Sequence, residues 1–468
     1  MNPFYGTPEV TYFVNDNDAL IPELWAREAL RVLQSNMVMG NLVNRDFSEN
    51  VADYGDVVNT SRPADFSGKR KTDSDSVTNQ DAESPNIQVP LDQHLHVSFT
   101  IKDGEMAKAL PNLVERYLEP AARELAEKVD QILCGQVLRL DTYEEGRLQE
   151  MSSTNADDFV IDANTRLDIN RCPKQGRNMV LGPRAQKETL KADLFVSAEK
   201  RGDAGTALRT ASLGTVYGMD AFMDQNVPYV AFADAQTTAG TTDNAEAAGS
   251  VLIETDIAAA ADIVVGCYFT VAGDMQPMRI TNIANDPIDL TPDVALRTGV
   301  GASAVAVVYR KGEVDLTAGY AAGWAKEVVV DGHDANKGPQ VGQSVAWGTG
   351  ASTHEYCIIA VTEDSTTQSQ ILLDRPLETA IIDGQATFYG PAGGYNLCFH
   401  RDALALVTRP LVTIPADTGA KSFVASFDGL SMRVTMQYDG SAQGMRVTFD
   451  LLCGVAVLDA RLAVALYS

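Results

Sequence analysis

A long run of alternating apolar residues stands directly before a helical segment, and this junction most constrains the fold. From Ile87 to Ile101 the apolar side chains fall on every second position, and only Gln93 breaks the series. Alternation with period two predicts a strand of about 15 residues with one apolar face. Such a strand would span about 50 Å, far beyond the usual length. We therefore expect an extended arm.

The helix signal that follows begins near Asp103–Glu105, where acidic residues suit a first helical turn. Its apolar stripe runs from Leu118 to Ile132 with steps of three and four residues. Pro111 and Pro120 should kink or restart the helix, so its straight part is predicted to begin near Pro120. An arm joined to a long helix suits a chain that reaches neighbouring copies of itself better than a compact enzyme.

The upstream half of the arm has two parts. Short apolar pieces in residues 50–62 predict the partner strand of a long hairpin, and the polar segment 63–85 predicts its flexible tip. Lys69 and Lys71 lie in that tip. A disordered insertion in an ordinary domain is the alternative reading of the same composition.

Composition excludes several classes of function. The chain has 63 acidic and 37 basic residues and a net charge of −26, which disfavours non-specific nucleic-acid binding and attachment to anionic membranes. No window approaches the roughly 18 apolar residues of a membrane span, and residues 1–18 do not resemble a secretory signal. The six cysteines form no Cys-x-x-Cys pair, so buried free thiols are expected rather than a disulfide framework.

The rest of the chain divides into helical and β-rich parts. We predict a helix over 21–34, a strand at Met179–Leu181 with a helix opening at Gly182-Pro183, and a strand and turn in Leu213–Gly218. After residue 390 we predict a short helix over Ala403–Val407, capped by Asp402, and then strands through Phe423–Leu466.

Residues 233–390 differ in texture, because short β-branched runs alternate there with Gly, Asn, Asp and Pro. The pattern of runs that begins at Val265-Gly266 recurs 76 residues later at Val341-Gly342. It predicts two related β modules or one duplicated barrel, with chance similarity as the alternative. The segment carries 21 acidic and 7 basic residues, a net of −14. This imbalance favours an inserted domain that faces solvent.

The order of these parts resembles the major capsid proteins of tailed bacteriophages, most of all the coat proteins of short-tailed phages that carry an inserted β domain. The strings that carry the resemblance are Ile101–Cys134, Asn178–Pro183, Leu208–Pro228, Asn396–Leu404, Arg409–Leu411, Tyr438-Asp439 and Arg446–Asp459. The fold class implied is α+β, the tailed-phage major capsid protein fold, with an N-arm, an extended β-hairpin loop, a long spine helix and a mixed α/β body.

On that resemblance the chain divides into five parts. They are an N-terminal arm and short helix (1–45), a hairpin loop (46–101), spine helix and first body part (102–232), β-rich insertion (233–390) and second body part (391–468). The insertion departs most from the family.

The implied function is self-assembly into an icosahedral shell that encloses packaged double-stranded DNA without sequence-specific binding. Hexamers and pentamers of the chain itself, scaffolding and portal proteins and a decoration protein would be its partners, with no membrane. Synthesis in the bacterial host cytoplasm and a place in the head shell of the virion are expected. The residues predicted at the subunit interface are Lys69, Lys71, Ile87, Val89, Leu91, Leu95, Val97 and Phe99.

Patterns that could carry chemistry have plainer readings. His94 and His96 share one strand face but lack a third metal ligand nearby, and His400-Arg401-Asp402 does not converge in a strand or helix. Asp286, Asp289 and Asp293 suit turns and caps, since the calcium-loop glycine and glutamate are missing. We therefore expect no enzyme activity, cofactor or metal.

Self-crosslinking is one activity that the resemblance itself raises. Some capsid proteins of this fold join subunits by a Lys–Asn isopeptide bond, for which Lys69 or Lys71 would be placed suitably. Ordinary exposed salt bridges are the plainer expectation for both.

A β-rich phage surface or tail protein with a carbohydrate-binding module is the alternative function. The aromatic residues that could stack on sugars are Tyr268, Trp324, Trp347 and Tyr356. The spine helix and body argue against it, because a binding module needs neither.

Overall fold

The structure is a computed structural model that describes residues 20–46, 57–61, 66, 68, 70–71, 76, 86–102, 117–140, 151–197, 210–231, 235–334, 337–348, 353–363, 367–414, 420–427 and 429–467. Three predicted features lie outside these residues: Lys69, most of the arm tip and the helix start at Asp103–Glu105.

The described helices are α1 (Leu20–Asn36), α2 (Met39–Leu42), α3 (Glu119–Gly135), α4 (Ala156–Ile169), α5 (Pro183–Lys191) and α6 (Asp193–Val196). The described strands up to residue 309 are β1 (Val57–Ser61), β2 (Asn86–Pro90), β3 (Gln93–Lys102), β4 (Arg177–Leu181), β5 (Thr215–Val216), β6 (Met219–Met223), β7 (Tyr229–Val230), β8 (Thr237–Thr241), β9 (Ile253–Glu254), β10 (Tyr268–Val271), β11 (Asp274–Ala284), β12 (Asp289–Pro292) and β13 (Val305–Tyr309).

The later strands are β14 (Gly312–Val314), β15 (Val328–Asp331), β16 (Ser344–Trp347), β17 (His354–Glu363), β18 (Gln368–Leu373), β19 (Ala386–Tyr389), β20 (Gly393–His400), β21 (Leu404–Arg409), β22 (Ala420–Phe427), β23 (Leu430–Asp439), β24 (Gly444–Val457) and β25 (Ala463–Tyr467). Helices and strands are thus mixed along the chain, as the predicted α+β class requires.

Helix α3 is the straight part of the predicted spine helix. It begins at Glu119, next to Pro120, where the straight part is predicted to begin. Proline is tolerated there because a backbone N–H in the first helical turn makes no intrahelical hydrogen bond. The stripe residues Leu125, Val129 and Ile132 are all buried, which confirms the amphipathic pattern. Helix α1 also confirms its prediction, since Ala29, Leu30 and Leu33 face the same core.

A six-stranded body sheet, in which β7 pairs with β20 beside the main path, separates two layers of side chains. Its order is β25-β20-β4-β6-β5, with β4 and β6 parallel. Met179 and Leu181 of β4 face the core beneath α4 and α5, whereas Val180 faces the core that contains α3. The predicted strand and the helix that opens at Gly182-Pro183 are confirmed.

A second, longer sheet supports the arm. Strand β24 pairs with β3 along one side, from Gly444↔Lys102 to Cys453↔Gln93. On its other side β24 pairs first with β23 and then with β21, and β22 follows β23 at the sheet edge. One face of this sheet packs on α1 and α3, so the long strands and the spine helix share one core.

One predicted strand and one predicted helix need correction. The strand expected to run unbroken from Ile87 to Ile101 is interrupted at Leu91 and Asp92, directly after Pro90, whose missing N–H cannot continue the ladder. The helix predicted over Ala403–Val407 is wrong: β21 occupies Leu404–Arg409, after a short 3-10 turn. A short buried apolar run does not distinguish helix from strand by its pattern, and here pairing with β24 decides.

The β-rich segment forms two six-stranded units. The second is a closed barrel of order β14-β15-β18-β17-β16-β19. The first has the order β8-β13-β10-β11-β12-β9, and a bridge between Thr242 and Thr255 joins its two ends. With each unit's strands numbered from one to six, both rings have the cyclic order 1-2-5-4-3-6. The first and second barrels therefore share one topology, while the domain boundaries at 233 and 390 stay predictions.

All six cysteines are free and buried, as expected from their apolar neighbours. No helix in the described ranges is both long and apolar enough to cross a membrane.

Candidate assembly surface

The arm is a two-stranded hairpin at the end of the long sheet. Strands β1 and β2 pair in antiparallel register from Val57↔Pro90 to Ser61↔Asn86. Among the described strands β1 pairs with β2 alone, so no described strand covers its other edge. Beyond the hairpin, Phe66 and Lys71 are exposed, and 67% of the Phe66 surface is open to solvent.

The predicted interface residues near the hairpin lie mostly against the chain's own body. Val89 is fully buried beside Ala405 and Ala456, and Leu91 packs against the same cluster. Ile87, two residues before Val89 on the same strand face, is half-buried. The apolar alternation of β2 is thus explained within one chain, and a contact of these residues with a neighbouring subunit stays a prediction.

The predicted residues of β3 have the same relation to the body. Leu95 and Val97 are half-buried against the core of the long sheet. Phe99 stacks on Phe449 with ring centroids 6.1 Å apart and on Tyr117 at 5.4 Å. Their replacement by charged residues would open the chain's own core, so it would not test a subunit contact alone.

A buried ion pair joins β23 and β24 of the long sheet, and a histidine of β3 lies beside it. Asp450 of β24 faces Arg433 of β23 in register, and its Oδ2 accepts bonds from Nε at 3.1 Å and Nη2 at 2.8 Å. On the other side of β24, Nε2 of His94 lies 3.8 Å from Asp450 Oδ1. The pair fixes the strand register, because a shift by one residue would leave the Asp450 carboxylate buried without its cation.

A buried aspartate connects the spine helix to the N-terminal helices. Asp130 of α3 accepts hydrogen bonds from the backbone N–H groups of Val38 at 2.7 Å and Gly40 at 3.0 Å. Burial, with the nearby charge of Asp224, raises the pKa of Asp130 to about 7. Burial also raises the pKa of Asp224, whose Oδ2 lies 3.9 Å from Sγ of Cys134.

The second barrel is seated on the spine helix. A Cβ added at Gly135 would lie 2.8 Å from Cβ of Cys357, so glycine permits the close approach of α3 and β17. Nearby, Lys128 Nζ donates to the carbonyl of Ile359 at 3.4 Å. Burial raises the pKa of the Cys357 thiol well above its usual value, which keeps it an unreactive packing group.

A cavity of about 440 Å³ lies between the hairpin base and the second barrel. Its walls are formed by the hairpin base (Gln88, Pro90, Asp92, Gln93), the spine helix (Ile132, Gln136), the barrel loop 374–378 and β24 (Val455, Ala456). Burial raises the pKa of Asp92, and the nearby Arg375 opposes this shift. The arm and the insertion thus both contribute residues to the walls of this cavity.

The residues singled out for other chemistry have structural partners. Asp286 accepts from the backbone N–H of Ala259 at 3.1 Å, and Asp293 accepts from that of Arg279 at 2.8 Å, so both carboxylates bond to backbone groups distant in the chain rather than within a local turn. Asp402 does not cap a helix; its Oδ1 accepts from Asn44 Nδ2 at 3.0 Å. Within the described part of the chain no group of three or more His, Cys, Asp or Glu is placed to hold a metal.

The aromatic residues considered for sugar stacking are mostly inside the barrels. Tyr268, Trp347 and Tyr356 are each at most 5% exposed. Only Trp324 presents part of its ring, and it packs on Tyr320 with centroids 5.3 Å apart. Three of the four rings are therefore core residues that no sugar could reach.

Four residues with structural roles at this site, Asp130, Gly135, Arg433 and Asp450, were not singled out from the sequence. In the sequence, Asp130 stands out as a charged residue and Gly135 as a glycine, each at a buried position of the amphipathic helix α3. For Arg433 and Asp450 the signal is opposite charge on neighbouring strands, which becomes visible only when the register is known.

Comparison with known proteins gives structural neighbours only. No family model matches the chain, and no curated protein matches it. Solved structures do. One, from Mycobacterium phage Che8, is 13% identical with a TM-score of 0.44, over 92% of this chain and 90% of that one.

Two further neighbours carry capsid descriptions. The capsid structure of the cyanophage P-SCSP1u is 11% identical with a TM-score of 0.41, over 89% of this chain and 84% of that one. The chain is similar to phage capsid structures. The third neighbour, from the mature capsid of bacteriophage PhiM1, is 10% identical with a TM-score of 0.39, over 89% and 82%.

Proposed function

We propose that this chain is a major capsid protein that assembles with copies of itself into an icosahedral head shell around packaged double-stranded DNA. The observation that carries the proposal is the hairpin of β1 and β2. It extends from a strand fixed in the body, yet among the described strands β1 pairs only with β2. An edge of this kind is an acceptor for contacts from another molecule.

The mechanism is geometric. Strand β3 is held along β24 from Lys102 to Gln93, and α3 lies against the same sheet. The base of the hairpin is therefore rigid, and a rigid arm can set the position of the next subunit. Weak contacts that recur in a closed symmetric lattice add to a stable shell, because symmetry uses each surface many times.

The charge of the chain supports enclosure of DNA rather than attachment to it. A net charge of −26 repels phosphates, so the interior surface would not hold the genome by ion pairs. By the same reasoning, DNA would be pumped into the shell through a portal by a separate motor. Hexamers and pentamers of the chain, a scaffolding protein and a decoration protein complete the proposed set of partners, in a virion assembled in the bacterial host.

The first experiment is negative-stain electron microscopy of the chain expressed alone and isolated by sedimentation, with and without a co-expressed candidate scaffolding protein. Closed shells or capsomer rings are expected. A protein that stays monomeric at high concentration and raised salt under both conditions would contradict the proposal.

A hairpin variant tests whether the segment that joins β1 to β2 contributes to the contact between subunits. Ser61 and Asn86 face each other in the ladder, so residues 62–85 can be replaced by Asn-Gly, which closes a two-residue turn. The variant should keep its thermal midpoint and lose shells. As a matched control, a Gly/Ser segment of the original length separates the effect of loop sequence from that of loop length. Shells formed by the Asn-Gly variant at normal yield would remove the hairpin tip from the contact.

A further inference from the structure

The cavity between the hairpin base and the second barrel contains a buried polar group without a partner. Gln93, the one residue that breaks the apolar alternation of the arm, lines this cavity and is only 9% exposed. Its Nε2 comes near the Asp92 carboxylate but is not in hydrogen-bond geometry with it or with any other described group. A buried donor in this state costs free energy. The cavity therefore presents an N–H group that an oxygen atom of a ligand would satisfy.

The charged groups that line the cavity make it acidic. They are three carboxylates and one guanidinium, those of Asp92, Asp374, Glu378 and Arg375. Asp374 is 1% exposed and pairs with Nη1 of Arg375 at 3.3 Å, so these two charges balance each other inside. Asp92 and Glu378 are exposed to solvent. Desolvation by the cavity walls raises the pKa of Asp92 in spite of the nearby Arg375, as expected for a carboxylate that lacks a cation of its own.

These two features together define the chemistry of a ligand. The carboxylates favour a cation, and Nε2 of Gln93 requires an oxygen acceptor. An inorganic cation offers no acceptor, and a neutral sugar offers no positive charge. A Lys or Arg residue within a peptide offers both, because its side chain carries the charge and its backbone carbonyl accepts. The cavity therefore suits a basic peptide segment.

The chain itself contains one exposed segment of this chemistry. Residues 69–71, Lys-Arg-Lys, are its only run of three consecutive basic residues, and Arg70 and Lys71 are exposed. The run belongs to the loop that follows Ser61 at one end of the hairpin, whereas the cavity is lined by Pro90 at the other end. The loop thus leads away from the cavity of its own chain, and a second copy is the natural source of the occupant.

We propose that this cavity, here called the hairpin-base cavity, receives the basic run 69–71 of a second copy of this chain. A basic side chain of the run pairs with Asp92 and Glu378, and a backbone carbonyl of the run accepts from Nε2 of Gln93. The contact is heterologous, since each copy gives its loop to one neighbour and receives the loop of another. It rests on the proposed function, which supplies the lattice, and it names what the hairpin loop contacts there.

The charge of the chain gives this contact a role in selecting the arrangement of copies. Two chains with a net charge of −26 each repel one another over most of their surfaces. A basic run against an acidic cavity is attractive, so it favours the one orientation in which loop and cavity meet.

A cysteine crosslink tests the contact directly. All six native cysteines are buried, and Gln88 is exposed and lines the cavity. Gln88→Cys and Thr72→Cys, on two differently tagged chains that are co-expressed, place one thiol at the cavity and one beside the basic run without removing a charge. Mild oxidation should link the two chains at a yield at least about tenfold above that of Val412→Cys with Thr72→Cys, because docking raises the effective concentration of the thiols.

Val412, which is 83% exposed on the body, is the matched control position. Equal yields from the two pairs of variants at high protein concentration would overturn the proposal, whether or not closed shells form.

Charge reversal tests the same contact through assembly. Asp92→Lys should leave the thermal midpoint unchanged and lower shell yield at least about tenfold, and so should the joint change Lys69→Glu, Arg70→Glu and Lys71→Glu. The two reversals combined should raise the yield at least about threefold above either alone, because opposite charges again face each other. Asp243→Lys makes the same change of charge at an exposed position of the first barrel and is the control.

The outcomes separate this contact from the proposed function. Normal shells from Asp92→Lys, or no recovery in the combined variant, would overturn the hairpin-base cavity as the contact and leave the proposed function intact. Absence of shells from the unaltered chain would instead count against the proposed function, and the crosslink would then decide on the cavity alone.

Discussion

The carboxylate of Asp130, in the middle of the spine helix, accepts a 2.7 Å hydrogen bond from the backbone N–H of Val38. Its other oxygen accepts from Gly40, so one side chain satisfies two donors at the start of α2. Removal of the carboxylate leaves these donors without an acceptor in a buried place. These two hydrogen bonds add to the apolar core that α1 and α3 share.

Replacement of Asp130 by Ala should lower the free energy of unfolding by about 1–3 kcal/mol, the cost of buried donors left unsatisfied. Urea unfolding followed by circular dichroism measures the change. Glu127→Ala, on the exposed face of the same helix, is the matched control and should change it by less than about 0.5 kcal/mol. An Asp130 variant as stable as the control would show that water replaces the carboxylate.

Stability should fall as the pH rises from about 4 to about 7. The folded-state pKa of Asp130 is about 7, raised from 3.8, so the folded state holds a proton in this range that the unfolded state has released. A raised carboxyl pKa stabilises the fold fully below the unfolded value, and that stabilisation is lost as the pH passes through the folded value. Buried Asp224, whose pKa is also raised, contributes with the same sign.

The measurement is the free energy of unfolding of the unaltered chain and of Asp130→Asn, at pH values about one unit apart from about 4.5 to about 7.5. The variant should have a distinctly smaller slope, because an amide does not titrate. Parallel curves would mean that Asp130 keeps an ordinary pKa in the folded chain.

Gly135→Ala should weaken the packing of the second barrel against the spine helix and so lower the free energy of unfolding. The added methyl group would lie 2.8 Å from Cβ of Cys357, and overpacking of this kind costs about 1–3 kcal/mol. Gly440→Ala is the control, since nothing lies within 4 Å of its added Cβ. Addition of Cys357→Gly to the Gly135 variant should restore part of the loss, and failure to do so would place the strain elsewhere.

Asp293 of the first barrel and Asp374 of the second each accept a hydrogen bond from a backbone N–H of the neighbouring strand. Removal of the two carboxylates should nevertheless lower stability by different amounts. Asp374 is 1% exposed and contacts Arg375 as well as the N–H of Cys357, so Asp374→Ala also leaves a buried cation short of a partner. We expect a loss of about 3 kcal/mol. Asp293→Ala removes the corresponding bond at an exposed position and should cost about 1 kcal/mol. Thermal unfolding of both variants measures the difference, and equal losses would contradict this account.

Added salt should favour assembly, because screening reduces the repulsion between acidic subunits. Light scattering at constant protein concentration, from low to moderate salt, follows the onset of assembly. A steady decrease over that range would mean that attractive ion pairs between subunits outweigh the net charge of −26.

Local elements with strong periodicity could be predicted from the amino-acid sequence alone. Step lengths of three and four placed α3, and alternation placed one face of β3 toward the core, since these periods follow from backbone geometry alone. The apolar neighbours of the six cysteines likewise indicated burial. Each of these signals lies within a short stretch of chain.

Features that depend on distant partners became visible only in the folded chain. Leu404–Arg409 became a strand because β24 is available beside it, and the apolar face of β2 found its contacts in its own body, at Ala405 and Ala456. Asp130 acquired its role from Val38, some 90 residues away in the chain. Burial, register and pKa arise from such long-range contacts, and no local pattern encodes which segment will supply them.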